Sequence, residues 1–334
     1  TYYVSMSSTK LSTKKPPWLK VPFPGGERYS WIKKSVTNLN LSTVCEEANC
    51  PNIGECWKGG TATFMLMGDT CTRGCRFCAV KSAKNPEALD TDEPRKLAET
   101  VKKMDLKYVV LTTVDRDDLP DQGASHIAHC IRSTQRASPD LLIEILMPDF
   151  QGKTELIQQI IDARPAVLAH NLETVRSLTA KVRDARASYD QSLDVLRYLK
   201  LRCPEGFTKS SLMLGVGESR EETLQAMEDL REVGVDFLTI GQYLQPSKKH
   251  LKVKKFLHPK EFEELAELGD KIGFEYVASG PLVRSSYKAA EFYIERKIRG
   301  TSCALQTNSR KLRFRKFPAT LYCRVLKVLS LIHI

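Results

Sequence analysis

From residue 61 onward, short apolar runs alternate with longer amphipathic stretches. This alternation limits the fold more than any other feature of the chain. The apolar runs are residues 63–67, 108–112, 141–147, 166–170, 211–216 and 237–240, and they read as strands. The stretches between and after them, 94–104, 124–137, 154–163, 189–200, 220–233 and 259–272, carry helical periodicity. Strands separated by helices pair in parallel, through right-handed crossovers that return the chain to the same end of a sheet. Six such units over residues 61–280 fit a partial (β/α)6 TIM-like barrel. A full eight-stranded barrel needs more repeats than this chain supplies. Residues 275–279 add a last edge strand. An extension over 16–60 precedes the barrel, and a segment over 281–300 follows it.

Sites in parallel α/β barrels form at the C-terminal ends of the strands. The loop after the first strand holds Cys71, Cys75 and Cys78 as C-x3-C-x2-C, and the extension holds Cys45, Cys50 and Cys56 as C-x4-C-x5-C. Thiolates this closely spaced can reach one soft metal centre. Each triplet supplies three ligands where a cubane iron–sulfur cluster takes four, which leaves one iron for another group. Two other readings exist. Disulfides fit poorly, because the chain reads as an intracellular enzyme with no secretory signal. Structural zinc uses four Cys or His ligands, often in paired C-x2-C knuckles. Here C-x2-C occurs once, and the nearest histidines, His126 and His129, lie far along the chain. These two share a helix face and are read as structural. Cys130 and Cys203 are read as bystander thiols.

The formal net charge of +11 invites a nucleic-acid reading. Its location argues otherwise. From Arg296 onward there are ten basic residues and no acid, so the remainder of the chain is close to neutral. The stretch 325–334 is apolar but short for a membrane span. Residues 301–334 are expected to be a disordered tail or the product of an erroneous reading frame. Residues 1–15, rich in Ser, Thr and Lys and free of acids, read as a flexible leader or a transit-peptide remnant.

The strings around the cysteines carry a family resemblance. Val44-Cys45-Glu46-Glu47-Ala48-Asn49-Cys50-Pro51-Asn52-Ile53-Gly54-Glu55-Cys56-Trp57 and Met67-Gly68-Asp69-Thr70-Cys71-Thr72-Arg73-Gly74-Cys75-Arg76-Phe77-Cys78 resemble the lipoyl synthase family of the radical S-adenosylmethionine (SAM) superfamily. So do Val114-Asp115-Arg116-Asp117-Asp118-Leu119-Pro120-Asp121, Pro148-Asp149-Phe150, His170-Asn171-Leu172-Glu173-Thr174, Gly241-Gln242-Tyr243-Leu244-Gln245-Pro246 and Gly280-Pro281-Leu282-Val283-Arg284-Ser285-Ser286-Tyr287. The match runs from about Pro16 to about Phe292. Its barrel strings fall on one rim.

The resemblance implies the following roles. Cys71, Cys75 and Cys78 hold a [4Fe–4S] cluster whose open iron binds SAM, with one electron cleaving SAM to methionine and a 5′-deoxyadenosyl radical. Cys45, Cys50 and Cys56 hold an auxiliary [4Fe–4S] cluster, with Ser286 as fourth ligand and Ser285 as the alternative. That cluster is the sulfur source for two insertions, at C6 and C8 of an octanoyl group on a carrier-protein lysine. A serine oxygen is a harder ligand than thiolate and suits release, although serine after a loop is also a common helix cap. Asn171 and Glu173 are expected on the SAM ribose or amino group, and Arg183 on its carboxylate, since arginine suits bidentate recognition. Asp115, Arg116, Asp117 and Asp118 are expected to face SAM or substrate. Ala185 stands where the family has proline, which is expected to loosen that loop. The implied partners are octanoylated H protein, lipoyl domains of 2-oxoacid dehydrogenases, and a low-potential donor such as a ferredoxin, with no nucleic acid and no membrane span. The implied location is mitochondrial, with plastid or bacterial cytoplasm as alternatives. The rivals are another sulfur-inserting radical SAM enzyme, of biotin synthase or methylthiotransferase type, and a zinc-stabilised nucleic-acid-binding module.

Overall fold

The computed structural model describes residues 15–21, 25–38, 41–43, 52–53 and 62–286. Strands β1 (Ser42–Thr43), β2 (Thr63–Leu66), β5 (Tyr108–Thr113), β6 (Leu142–Leu146), β7 (Val167–Ala169), β8 (Phe207–Leu214), β9 (Phe237–Gln242) and β10 (Tyr276–Gly280) form one sheet in that spatial order. From β2 to β10 every neighbouring pair is parallel, and β1 lies antiparallel on β2. Strand order thus follows chain order, the arrangement of a partial barrel. A separate two-stranded pair, β3 (Thr70–Cys71) and β4 (Lys81–Ser82), brackets the first rim loop.

The six expected strands are all present, and the last edge strand is β10. The additions are β1 and the helix α1 (Glu27–Asn38) of the extension, whose Ile32 is buried in the core. One boundary moved substantially. The fifth strand was expected from residue 211 and begins at Phe207, because Lys209 lies inside the sheet layer. Its Nζ sits 2.7 Å from Glu144 Oε1 and 2.9 Å from Oε2, and Tyr108 Oη donates to Glu144 Oε2 at 2.6 Å. Both charged side chains are essentially fully buried. A buried charge needs a hydrogen-bonded partner of opposite sign, and here the partner comes from a strand two places away in the sheet.

The outer helices are α2 (Glu93–Met104), α3 (Ala124–Ala137), α4 (Thr154–Asp162), the short α5 (Thr179–Val182), α6 (Tyr189–Arg202), α7 (Arg220–Glu232) and α8 (Pro259–Ile272). Their starts are locally encoded. Ser188 caps α6, and Ser219 with Glu222 forms a capping box on α7. Pro259 opens α8 at a position where the missing N–H costs nothing.

The turn that launches the first rim loop is held by a buried acid. Met67 and Gly68 follow β2 with φ of 70° and 88°, an unusual conformation for methionine. The Met67 N–H donates to both Glu93 carboxylate oxygens, at 3.0 and 3.2 Å, and His126 Nε2 lies 2.6 Å from Glu93 Oε2. Gly123 (φ 83°) precedes α3 where a Cβ would come within 2.1 Å of Met67 Sδ. Glu93 and His126 thus brace this turn, and Cys130 stands beside them, the three ligand-type atoms within 4.8 Å of one another. Burial pushes the Cys130 thiol well above its ordinary value.

Candidate metal centre

Cys71, Cys75 and Cys78 lie on the loop after β2, all half-buried and all free thiols. Each sulfur is met by backbone N–H groups. Cys71 Sγ accepts from Arg73 N at 3.4 Å and Asp115 N at 3.3 Å; Cys75 Sγ accepts from Asp184 N at 3.3 Å; Cys78 is met by Val80. Burial is the main reason the thiols are pushed up, to about 12 for Cys71 and Cys75 and about 11 for Cys78. Burial thus works against the thiolate form of all three. With a metal bound, the convergent N–H donors solvate the sulfur charge. Donor type, spacing and N–H array fit an iron–sulfur cluster.

The loop is held from many sides. Thr72 N donates to Asp115 O and Arg76 N to Val182 O, both at 2.9 Å, while Leu251 N donates to Arg76 O at 3.1 Å. Gly74 N donates to Asp184 Oδ2 at 2.8 Å, and Arg186 Nη2 to Thr72 O at 2.7 Å. His250 Nε2 lies 2.9 Å from the Cys78 carbonyl, with its Nδ1 on Ser247 Oγ. The Ala185 turn is fixed by neighbours rather than by proline: the Asp184 carboxylate accepts from the Arg186 backbone and guanidinium as well as from Gly74.

At the centre of this support sits Arg73, 4 % exposed. It donates twice to Asp149 at 2.7 Å and to Asp117 at 2.9 and 3.0 Å, and stands 3.4 Å from Asp115. Burial opposes the charge on Asp117 and Asp149, yet hydrogen bonds from Arg73 keep both below the usual carboxylate range. Asp115 goes the other way. Burial raises it to about 6 despite Arg73, and its Oδ2 is 3.6 Å from Cys71 Sγ. The four charged residues after β5 thus divide. Asp115 and Asp117 brace the cluster loop, while Arg116 is buried and paired with Asp118 at 2.8 Å.

The structure brings Asn171, Glu173 and Arg183 to the same rim. Asn171 Nδ2 donates to Glu173 Oε1 at 3.0 Å. Glu173 has φ of 70°, holds β8 through Ser211 O and Met213 N, and is raised by burial. Its charge acts on Cys78, and that of Arg183 acts on Cys75. Arg183 is buried and donates to Ser192 Oγ at 2.8 Å. Ser285 and Ser286 are half-buried on the segment after β10. That segment presses on the end of β9, where a Cβ on Gly241 would lie 2.0 Å from Val283 O. Arg284 Nη1 reaches Gln242 O at 3.3 Å. Cys45, Cys50, Cys56 and Tyr287 lie outside the described residues, as does the tail 301–334. Asn52, between Cys50 and Cys56, is described; its Nδ2 donates to Leu282 O at 2.7 Å.

Sequence reasoning did not single out Arg73, Asp149, Asp184, His250 or Asn52. A signal existed for Arg73, as a cation between the first two thiols on a rim that also carries Asp115, Asp117 and Asp149. His250 gave none.

A parallel partial barrel bearing three N–H-supported thiols after its first parallel strand defines a radical SAM protein. Residues 65–241 match the radical SAM superfamily, and residues 3–50 match the N-terminal domain of lipoyl synthase. The second match begins well before Pro16 and takes in most of residues 1–15, which read from composition as a leader. The mitochondrial lipoyl synthase of Branchiostoma floridae is 51 % identical over 89 % of this chain and 81 % of its own length. The lipoyl synthase of Myxococcus xanthus is 57 % identical over 85 % and 95 %, and the human mitochondrial enzyme 52 % over 85 % and 77 %. Among solved structures, the FeFe-hydrogenase maturase HydG from Carboxydothermus hydrogenoformans (TM-score 0.51, 11 % identity, covering 71 % of this chain and 66 % of that one) shares the fold. So does Streptococcus suis SuiB bound to its precursor peptide SuiA (TM-score 0.53, 12 % identity, 75 % and 52 %). The chain belongs to the lipoyl synthase family of radical SAM enzymes. Membership brings SAM and a [4Fe–4S] cluster as cofactors and an octanoylated protein as substrate.

Proposed function

We propose that the protein is a lipoyl synthase that inserts sulfur at C6 and C8 of an octanoyl group carried on a protein lysine. The observation that carries this reading is the convergence of Cys71, Cys75 and Cys78, each with an N–H donor, on the rim that also holds Asn171, Glu173 and Arg183. With its cofactors bound, this site supplies reductive cleavage of SAM to a 5′-deoxyadenosyl radical, the kind of species an unactivated C–H bond requires. The chain's own residues do the positioning. Cys71, Cys75 and Cys78 hold the cluster. Asn171 and Glu173 offer a hydrogen-bonded pair to the polar groups of SAM. Arg183, whose charge acts on Cys75, is read as the partner of the SAM carboxylate.

In this reading the sulfur comes from a second [4Fe–4S] cluster on Cys45, Cys50 and Cys56, with Ser286 as its oxygen ligand. Supporting it is the Asn52–Leu282 hydrogen bond, which ties the stretch between Cys50 and Cys56 to the segment carrying Ser286. The carriers are octanoylated H protein and lipoyl domains of 2-oxoacid dehydrogenases, and the electrons come from a low-potential donor of ferredoxin type. The location is mitochondrial, as in the names of the Branchiostoma and human relatives. The test is anaerobic reconstitution of the wild type and of Cys75→Ala. The wild type carries iron and acid-labile sulfide for two cubanes; the variant loses one cubane and all deoxyadenosine formation. Stoichiometric zinc without sulfide, or deoxyadenosine from the variant, overturns the reading.

A further inference from the structure

Residues 243–258 join β9 to α8 with neither helix nor strand. A connection longer than about 12–15 residues without regular structure is uncommon in a compact domain, and is usually either functional or a mobile linker. This one is pinned. Gln242 Nε2 donates to Lys255 O at 3.0 Å, and its Oε1 accepts from Leu257 N at 2.9 Å. Tyr243 Oη donates to Leu251 O at 2.8 Å, Gln245 Nε2 to His250 O at 3.0 Å, and Lys254 N to Gly215 O at 2.7 Å. His250 and Leu251 fasten the connection to the thiol loop, through the Cys78 and Arg76 carbonyls. It is a strap along the rim, beside the metal centre.

The exposed side chains of the strap carry one sign of charge. Residues 246–255 contain five lysines and no acid. Lys255 pairs with Glu261. Lys248, Lys249, Lys252 and Lys254 are exposed and pair with no acid among the described residues. Two more exposed cations adjoin them. Leu251 N donates to Arg76 O at 3.1 Å, and Arg76 Nη1 to Lys181 O at 3.3 Å. The acids of the adjoining loops are engaged elsewhere: Asp184 by Arg186 and Gly74 N, and Glu218 by the N–H groups of Gly215, Val216 and Gly217. Like charges held close in a fixed loop repel one another, so the fold gains nothing from this grouping.

We propose that this lysine strap is the docking surface for the octanoylated carrier protein, and that it recognises an acidic face around the acylated lysine. The proposal rests on the lipoyl synthase reading above. It adds where the carrier sits and which chemistry recognises it. The octanoyl chain has to enter at the rim that bears the thiol loop, so the carrier covers rim surface, and the strap touches Cys78 itself. Acylation turns the carrier lysine into an uncharged amide, which leaves any acid beside it without that cation. The exposed lysines supply the missing charge across the interface. Contacts of this kind act mainly on the rate of encounter and on orientation.

The experiment measures association of octanoylated H protein with the full chain, as wild type and as the triple variant Lys248→Gln, Lys249→Gln, Lys252→Gln. The expected result is association slower by on the order of tenfold at low salt, with dissociation little changed. The two proteins should converge in about 1 M salt, where the screening length is about 3 Å. In turnover the loss should fall on KM for the carrier rather than on kcat, and KM for a short octanoyl-lysyl peptide without acids should stay put. Neutralising the carrier's own acids around its octanoyl-lysine should slow the wild type to the variant's rate and slow the variant little further. Absent or equal association, or the same loss with peptide as with carrier, overturns the proposal. So does weakened binding of a single-stranded oligonucleotide with none for the carrier, which would make the strap a nucleic-acid surface. The activity is judged separately. A reconstituted wild type that adds sulfur to neither carrier nor peptide defeats the lipoyl synthase reading, while the association rates still decide the role of the strap.

Discussion

Arg73 and Asp149 form a buried two-pronged ion pair, Nη1 to Oδ2 and Nη2 to Oδ1, both at 2.7 Å. It joins the middle of the thiol loop to the end of the third parallel strand. Arg73 also reaches Asp117 from the second. One guanidinium thus ties the thiol loop to the ends of two strands.

Arg73→Met is expected to leave Asp149 buried without its cation, while Asp117 keeps only the Arg186 cation, at 3.2 Å. Breaking such a pair costs about 3–5 kcal/mol. Arg73→Lys keeps the charge but not the fork. We expect chemical denaturation to show the larger loss for Met. Both variants should reconstitute less iron on the first triplet and form little deoxyadenosine.

Gly241→Ala places a Cβ where the Val283 carbonyl now lies, at 2.0 Å. The backbone of the serine segment must move. Overpacking of this kind costs about 1–3 kcal/mol. The expected signature is loss of lipoyl product that exceeds the loss of SAM cleavage, read by quantifying deoxyadenosine and product in one reaction.

Lys209→Met alone strands Glu144 and its Tyr108 hydrogen bond inside the barrel, and should destabilise by about 3–5 kcal/mol. Lys209→Met with Glu144→Leu removes both charges, and should recover most of that loss. Urea midpoints of the two variants test this. A double variant no more stable than the single one would show that the site needs the charges.

His170 is fully enclosed between Met147 O and Ser192 Oγ, each at 3.0 Å, and burial pushes it down to about 4 from its ordinary 6.5. Its folded value is depressed, so between pH 6.5 and 4 the unfolded chain binds a proton that the folded chain refuses. Stability from this group is complete above pH 6.5 and falls as pH drops toward 4, with a slope approaching 1.4 kcal/mol per pH unit. His170→Gln should flatten that part of the profile in metal-free protein, as measured by urea denaturation at pH 7 and pH 4.5.

What the sequence revealed was local. Cys71, Cys75 and Cys78 announce themselves by spacing within one loop, and the period-2 and period-3.6 patterns announce the strands and helices. What stayed hidden is held together across the chain. Lys209 disguised the start of β8, since its partner Glu144 is 65 residues away and only the assembled sheet brings them together. Two residues of β1 are too few to show a period. The supports of the thiol loop come from strand ends, from Val182, Asp184 and Arg186, and from His250, each chosen by three-dimensional position rather than by neighbouring residues.

The central claim is that SAM cleavage and sulfur donation belong to two separate cysteine triplets. The most direct measurement is a single anaerobic turnover of Cys50→Ala on octanoylated H protein, with deoxyadenosine and the mass of the carrier read together. The account predicts deoxyadenosine formation and a carrier that has gained no sulfur. Lipoylated carrier from this variant would contradict it.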